Sequence, residues 1–158
     1  MLKTPEKIWE FQRKLYQKAK QQKEYRFYLL YDKVCRLDIL THVYNLVRAN
    51  KGAPGVDGET FESVEEREGG VEGYLEAIVG ELKRKEYKPQ PVRRVYIPKA
   101  GGGKRPLGIP TIKDRVVQMT VKIIIGPIFE AVFQENSYGF GPKRNAHQAV
   151  DDVKAQLL

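Results

Sequence analysis

The chain has 158 residues, 41% of them hydrophobic, with a formal net charge of +8 and a pI near 9.5. That length holds one domain with a true core, the hydrophobic content excludes a disordered chain, and the basic balance favours a polyanionic partner. A single cysteine, Cys35, excludes an internal disulfide, and with only two distant histidines, His42 and His147, it makes no zinc-ligand spacing.

The charge is unevenly placed. Residues 1–56 carry 12 basic and 5 acidic residues, residues 57–82 carry 1 and 9, residues 83–118 carry 11 and 2, and residues 119–158 carry 4 of each. Clustering in the N-terminal arm and in residues 83–118 is expected of a nucleic-acid footprint. No apolar run approaches the ~18 residues of a membrane span. The opening MLKTPEKIWE lacks the apolar core of a signal peptide. A cytoplasmic location and no membrane partner are therefore expected.

Thr4-Pro5-Glu6 is a helix-start signal, with Thr4 as cap and Pro5 in the first helical position. Ile8, Phe11, Leu15 and Ala19 follow at helical spacing, and the other faces carry Lys7, Arg13, Lys14, Lys18 and Lys20. This basic amphipathic helix reads either as an RNA contact or as the solvated face of a core-packing helix, with Trp9 as a packing residue. Residues 25–50 read as helical, in one or two pieces. Leu37, Leu40, Val43, Tyr44 and Val47 form their apolar stripe, and Asn50-Lys51-Gly52 is the stop.

GAPGVDG, residues 52–58, is a tight exposed loop in which Asp57 closes a turn. Residues 59–70 are acidic and glycine-ended, a short helix or loop whose carboxylates read as a solvated face before they read as a metal site. Tyr74, Leu75, Ile78, Val79 and Leu82 mark a further amphipathic helix. It closes on Lys83-Arg84-Lys85, where positive charge suits a helix C-terminus. Tyr87–Pro91 leads onward as a linker.

Val92–Ile97 and Arg105–Ile109 read as two short strands around a turn with three consecutive glycines. Pro98, Pro106 and Pro110 cannot donate ladder hydrogen bonds, which makes these edge strands. Lys99 and Arg105 lie across the turn from one another. A point charge and a bidentate fork together suit a triphosphate. Arg93, Arg94, Lys104, Lys113 and Arg115 are candidates for a nucleic-acid backbone. Tyr96, Tyr138 and Phe140 are candidates for stacking on bases, or for core packing. The same stretch also reads as a surface hairpin with solvated charges, and both readings stay open on the residues alone. Gly103-Lys104-Arg105 lacks the spacing of a Walker loop.

Ile112 to Phe133 reads as one buried helix with Gly126-Pro127 as a candidate kink. Asn136–Arg144 is a loop, and Ala146–Leu158 a last helix capped by Asn145. Asp151 and Asp152 are neighbours about 100° apart on that helix and do not converge on a metal. The expected fold class is α+β, mostly helical with a small antiparallel hairpin.

Three ordered segments resemble the group II intron-encoded reverse transcriptases, or maturases. NKGAPGVDG, residues 50–58, resembles the loop block that precedes the fingers. RRVYIPKAGGGKRPLGIPTIKDRVVQ, residues 93–118, resembles the first fingers block, and SYGFGPKRNAHQAV, residues 137–150, the second. In the second block Gly141 stands where the family usually has Arg, and Lys143 where it has Gly. The resemblance covers about residues 37–158. It implies a basic helical N-terminal extension, 1–50, followed by the fingers and the start of the palm of a right-hand polymerase, 51–158.

Residue by residue, the resemblance implies that Lys99 and Arg105 hold the triphosphate of an incoming dNTP. Lys51, Gly52, Ala53, Pro54, Gly55, Val56 and Asp57 would lie over the template strand. Arg93, Arg94, Lys104, Lys113, Arg115, Lys143 and Arg144 would contact template or intron RNA, or an RNA/DNA hybrid. The family's catalytic Asp residues, which serve a two-metal Mg2+ site, fall beyond Leu158. The expectation is a nucleotidyltransferase fragment without a catalytic residue or metal site of its own, inactive until the palm and thumb half joins it. Its uncovered apolar surface on residues 112–133 and 150–158 would promote self-association. The alternative is a non-catalytic RNA-binding module acting in intron splicing or RNA capture.

Overall fold

A computed structural model describes residues 3–139, 141 and 144–157. In chain order it has helices α1 (Glu6–Gln21), α2 (Tyr31–Val34), α3 (Leu37–Ala49), α4 (Phe61–Glu66) and α5 (Gly70–Arg84). Strands β1 (Arg93–Pro98) and β2 (Lys104–Ile109) follow, then α6 (Ile112–Val132) and α7 (Ala146–Leu157). The chain is mostly helical with one two-stranded antiparallel sheet, consistent with the α+β class.

The core is organised on α6. Ile112, Val116, Val117, Thr120 and Ile124 are buried along it, recurring at the spacing of one helical face. Helices α1, α2 and α3 pack directly on α6, and α5 packs on α3. Ile8 and Leu15 enter from α1, Leu40, Val43 and Tyr44 from α3, and Leu75 and Ile78 from α5, all in one continuous cluster. Burying each such side chain contributes about 1.5–3 kcal/mol. The N-terminal helix thus shares its core with the rest of the chain. Gln12 reinforces this, its Nε2 donating to the Ile123 carbonyl at 3.0 Å.

Several local expectations change. Helix α1 starts at Glu6, not at Pro5. Pro5 sits in the cap position with ψ of 143°, no side chain caps the helix, and Thr4 lies outside it. The Pro5 carbonyl instead accepts the Ile8 and Trp9 N–H groups. Trp9 is not a packing residue. It is 52% exposed, with the Arg13 guanidinium 5.2 Å from its ring. Residues 25–30 are not helical. Their apolar side chains are consecutive rather than helically spaced, so a helix there would bury only part of them. Tyr25 and Tyr28 stay exposed, while Phe27 and Leu30 reach half-burial.

The end of the chain follows expectation more closely. Helix α6 continues through Gly126-Pro127 to Val132. Asn145 caps α7, its Oδ1 accepting the Gln148 N–H at 3.0 Å while Gln148 Oε1 accepts the Asn145 N–H at 2.9 Å. Helix α7 buries none of its residues. Val150 and Val153 are exposed, as are Phe129, Val132 and Phe133 at the end of α6. Among the described residues, no helix is long and apolar enough to cross a membrane.

Candidate nucleic-acid interface

The connections into and out of the hairpin meet on one buried carboxylate. Thr111 caps α6, its Oγ1 accepting the Asp114 N–H at 3.1 Å. Asp114 Oδ1 accepts the Tyr87 phenol at 2.6 Å, and Oδ2 accepts the Gln90 N–H at 3.1 Å and the Thr111 hydroxyl at 2.8 Å. Tyr87 and Gln90 belong to the linker before β1, and Thr111 follows β2. Both roots of the hairpin are therefore held at the start of α6. Burial, then the bond to Asp114, raises the Tyr87 phenol above its ordinary pKa.

The strand register divides the hairpin into two faces. Pairing runs from Arg93 opposite Ile109 to Pro98 opposite Lys104. Beyond it, the Lys99 N–H donates to the Gly103 carbonyl at 3.1 Å. Gly102 and Gly103 make the turn at φ of 87° and 77°, a backbone region that favours glycine. Alternation puts Arg93, Val95, Ile97, Arg105, Leu107 and Ile109 on one face, with Lys99 continuing the same side. Arg94, Tyr96, Pro98, Lys104, Pro106 and Gly108 occupy the other.

The first face turns towards the protein. Arg93 Nε donates to the Pro54 carbonyl at 2.9 Å. Leu107 and Ile109 line a cleft of about 550 Å³ together with Val47, Ala53, Pro110 and Met119. The residues of β1 accordingly alternate between half-buried on this inner face and exposed on the outer one. Lys99 and Arg105 thus share the inner face. Among the described residues, neither side chain has a carboxylate partner.

The loop after α3 forms the opposite wall of the cleft. The left-handed residue that ends α3 is Lys51, with φ of 47°, rather than Gly52. At Gly52 the Arg115 guanidinium lies where a Cβ would stand, so a side chain there would have to displace Arg115. Arg115 Nε and Nη2 donate to the Pro110 carbonyl at 3.0 and 2.9 Å, and Nη2 also donates to the Ala53 carbonyl. Gly55 is buried against Thr111 and Pro110. Lys51, Val56 and Asp57 are exposed. Asp57 closes the expected turn, its Oδ1 accepting the Glu59 N–H at 3.2 Å. Burial lowers the Arg115 pKa; Asp57 raises it and Arg93 lowers it further.

The sequence-predicted cations therefore separate into two groups. Arg93 and Arg115 pin the loop to the hairpin and α6. Lys113 Nζ pairs with Glu81 at 2.8 Å. Arg144 stacks over Tyr138, 5.8 Å from its ring centroid, and donates to the Glu135 carbonyl. Lys99, Arg105, Arg94, Lys104 and Lys51 have no carboxylate partner among the described residues. Lys143 and Phe140 lie outside the described residues.

Gln118 and Lys122 also line the cleft, and neither stood out in the sequence. Their signal is the spacing Arg115, Gln118, Met119, Lys122, one stripe of a helix. Among the described residues, no group of three or more His, Cys, Asp or Glu side chains is placed to hold a metal. The arrangement can bind and orient anions next to an apolar recess.

No protein-family model matches the chain. It is 40% identical over 152 residues to Protein YkfC of Escherichia coli (strain K12), covering 95% of this chain and 39% of that protein. It is 39% identical over 134 residues to Group II intron-encoded protein LtrA of Lactococcus lactis subsp. cremoris, covering 83% of this chain and 21% of that protein. Nuclear intron maturase 1, mitochondrial, of Arabidopsis thaliana is 39% identical over 48 residues, 30% of this chain and 7% of that protein. The chain spans well under half the length of each of these relatives.

Proposed function

This chain belongs to the group II intron-encoded protein family, and from that membership we propose that it forms the fingers of an RNA-directed DNA polymerase with maturase activity. The observation that supports this reading is the shared inner face of Lys99 and Arg105. Both cations lack a carboxylate partner among the described residues, on the face that borders the cleft between hairpin and loop. In this role Arg105 grips the triphosphate of an incoming dNTP with two donors, and Lys99 adds a compact charge. The loop Gly52–Asp57, held by Arg93 and Arg115, gives the RNA template or RNA/DNA hybrid a fixed ledge. Binding and orientation are this chain's part of the reaction. Among the described residues no group of three or more His, Cys, Asp or Glu side chains is gathered as a metal site would need, and we assign no metal-dependent step to this chain. That chemistry belongs to the palm and thumb.

Titration of the full chain with a dNTP, followed by calorimetry, tests this reading. Arg105→Ala is expected to weaken the affinity about tenfold, the lower end of what a charge-assisted hydrogen bond contributes, with an unchanged circular dichroism spectrum. An affinity equal to that of the unmodified chain sinks the triphosphate role.

A second reading, an RNA-binding module that needs no polymerase, draws on a different surface. Helix α1 exposes Lys7, Arg13, Lys14 and Lys20. Beside it, exposed Tyr25 has Lys18 Nζ 4.3 Å from its ring centroid. On this reading, affinity for a structured RNA falls steeply with salt. Lys14→Ala lowers the log–log slope by about 1. A salt-independent affinity excludes it.

A further inference from the structure

An apolar groove of about 470 Å³ lies between α1 and the irregular strap of residues 25–30. Phe11, Lys14, Leu15 and Lys18 form its first wall, recurring at i, i+3, i+4 and i+7 as one helical stripe. The strap forms the second wall. Its Tyr25 and Phe27 rings meet edge to face, 4.9 Å between centroids, with Lys18 Nζ over the Tyr25 ring. Tyr28 and Leu29 also line the groove while standing 80% and 72% exposed, and Lys33 of α2 completes the lining. The main chain of the strap is unpaired as well. From Arg26 to Leu29, no N–H or carbonyl takes part in a backbone hydrogen bond among the described residues. No acidic residue lines the groove. Lys14, Lys18 and Lys33 have no carboxylate partner among the described residues. None of these groove residues belongs to the hairpin or to the cleft beside it.

We propose that this groove is the docking site of an acidic peptide segment of a partner protein, which seats leucine-like side chains in the recess and sets its carboxylates against Lys14, Lys18 and Lys33. Large apolar side chains exposed side by side, as Tyr28 and Leu29 are, mark an interaction surface. Three features select the occupant. The free N–H and carbonyl groups of Arg26 to Leu29 match those of another main chain laid alongside, and a nucleic acid offers no such ladder. A recess bounded by Leu15, Leu29 and Leu30 takes an aliphatic side chain, whereas a base needs an open ring face, and Lys18 already covers that of Tyr25. Three lysines without acidic neighbours in the lining set the partner's charge as negative, because complementary charge fixes register and excludes basic competitors.

Fluorescence anisotropy of the full chain with a short labelled peptide, in which leucine alternates with aspartate, tests the proposal. The expected result is saturable binding, weakened about tenfold when serine replaces every leucine at constant charge. Tyr28→Ser and Leu29→Ser should each weaken binding about tenfold, as loss of an anchor contact does. Lys33→Ala should weaken it about two- to fivefold, the range of an exposed ion pair. Tyr28 and Leu29 are exposed, so the circular dichroism spectrum of both serine variants should match that of the unmodified chain. No binding of the leucine–aspartate peptide, equal binding of its serine counterpart, or full affinity in Leu29→Ser overturns the proposal. A structured RNA whose affinity falls in Tyr28→Ser while the peptide's does not also overturns it, and gives the groove to nucleic acid. Concentration-dependent sedimentation that Leu29→Ser abolishes overturns it in favour of a second copy of this chain.

Discussion

Asp114→Ala is expected to lower the stability of the fold by about 3–5 kcal/mol, far more than a surface substitution in a basic protein. The carboxylate is 1% exposed and accepts three hydrogen bonds, from Tyr87, Gln90 and Thr111. Alanine leaves the buried Thr111 hydroxyl and the half-buried Tyr87 phenol without their acceptor and removes the partner of the Gln90 N–H; a buried donor left unpaired costs about 1–3 kcal/mol. The change also frees both ends of the hairpin at once, because Tyr87 and Gln90 precede it and Thr111 follows it. Urea unfolding is the measurement, with an unchanged slope showing that the compactness of the two states is preserved. Asp114→Asn should lie between the two proteins, since its amide oxygen still accepts. A loss below about 1 kcal/mol for alanine would show that water reaches these donors and that the carboxylate is not the anchor.

Gly55→Ala is expected to cost about 2–3 kcal/mol through overpacking. A Cβ at this position would stand 2.7 Å from both Cα and N of Thr111 and 3.0 Å from the carbonyl carbon of Pro110. All three are backbone atoms at the exit of the hairpin, so no side chain can swing aside to relieve the clash. The loop has to lift away, stretching the bonds from Arg93 to Pro54 and from Arg115 to Ala53. Gly58 provides the comparison. It is left-handed at φ of 69° with open space around it, so alanine there adds only conformational strain of about 1 kcal/mol. Hydrogen exchange should report faster exchange across residues 52–57 in Gly55→Ala. Equal destabilisation by the two substitutions would remove steric contact as the reason for Gly55.

How much of this was legible in the sequence depended on how local each cause is. The hairpin, the amphipathic helix through Ile78 and the Asn145 cap were all readable, because turn glycines, helical spacing and capping side chains act within a few residues. The irregular run from Tyr25 to Leu30 was misread as helix, since consecutive apolar residues look alike in a helix and in an extended strap. Trp9 was misplaced because composition ranks tryptophan as core, whereas here it lies beside Arg13 at the surface. The sharpest limit concerns the arginines. Arg93 and Arg94 are adjacent and chemically identical, yet one pins the loop at Pro54 and the other faces outward. Only the register separates them. The partners of Arg93 and Arg115 are carbonyl oxygens, which every residue possesses, so no residue type announces them.

Those carbonyl partners also have an electrostatic meaning. Lys113 is neutralised by Glu81, whereas Arg93 and Arg115 are held by neutral groups and keep their full charge, with Asp57 the acidic group that offsets it at Arg115. Their donors are occupied but their field is not. Two fixed cations at the root of the hairpin, beside an apolar cleft, raise the local potential over distances longer than a hydrogen bond. That field reaches about one screening length from the hairpin root and contracts as salt is added.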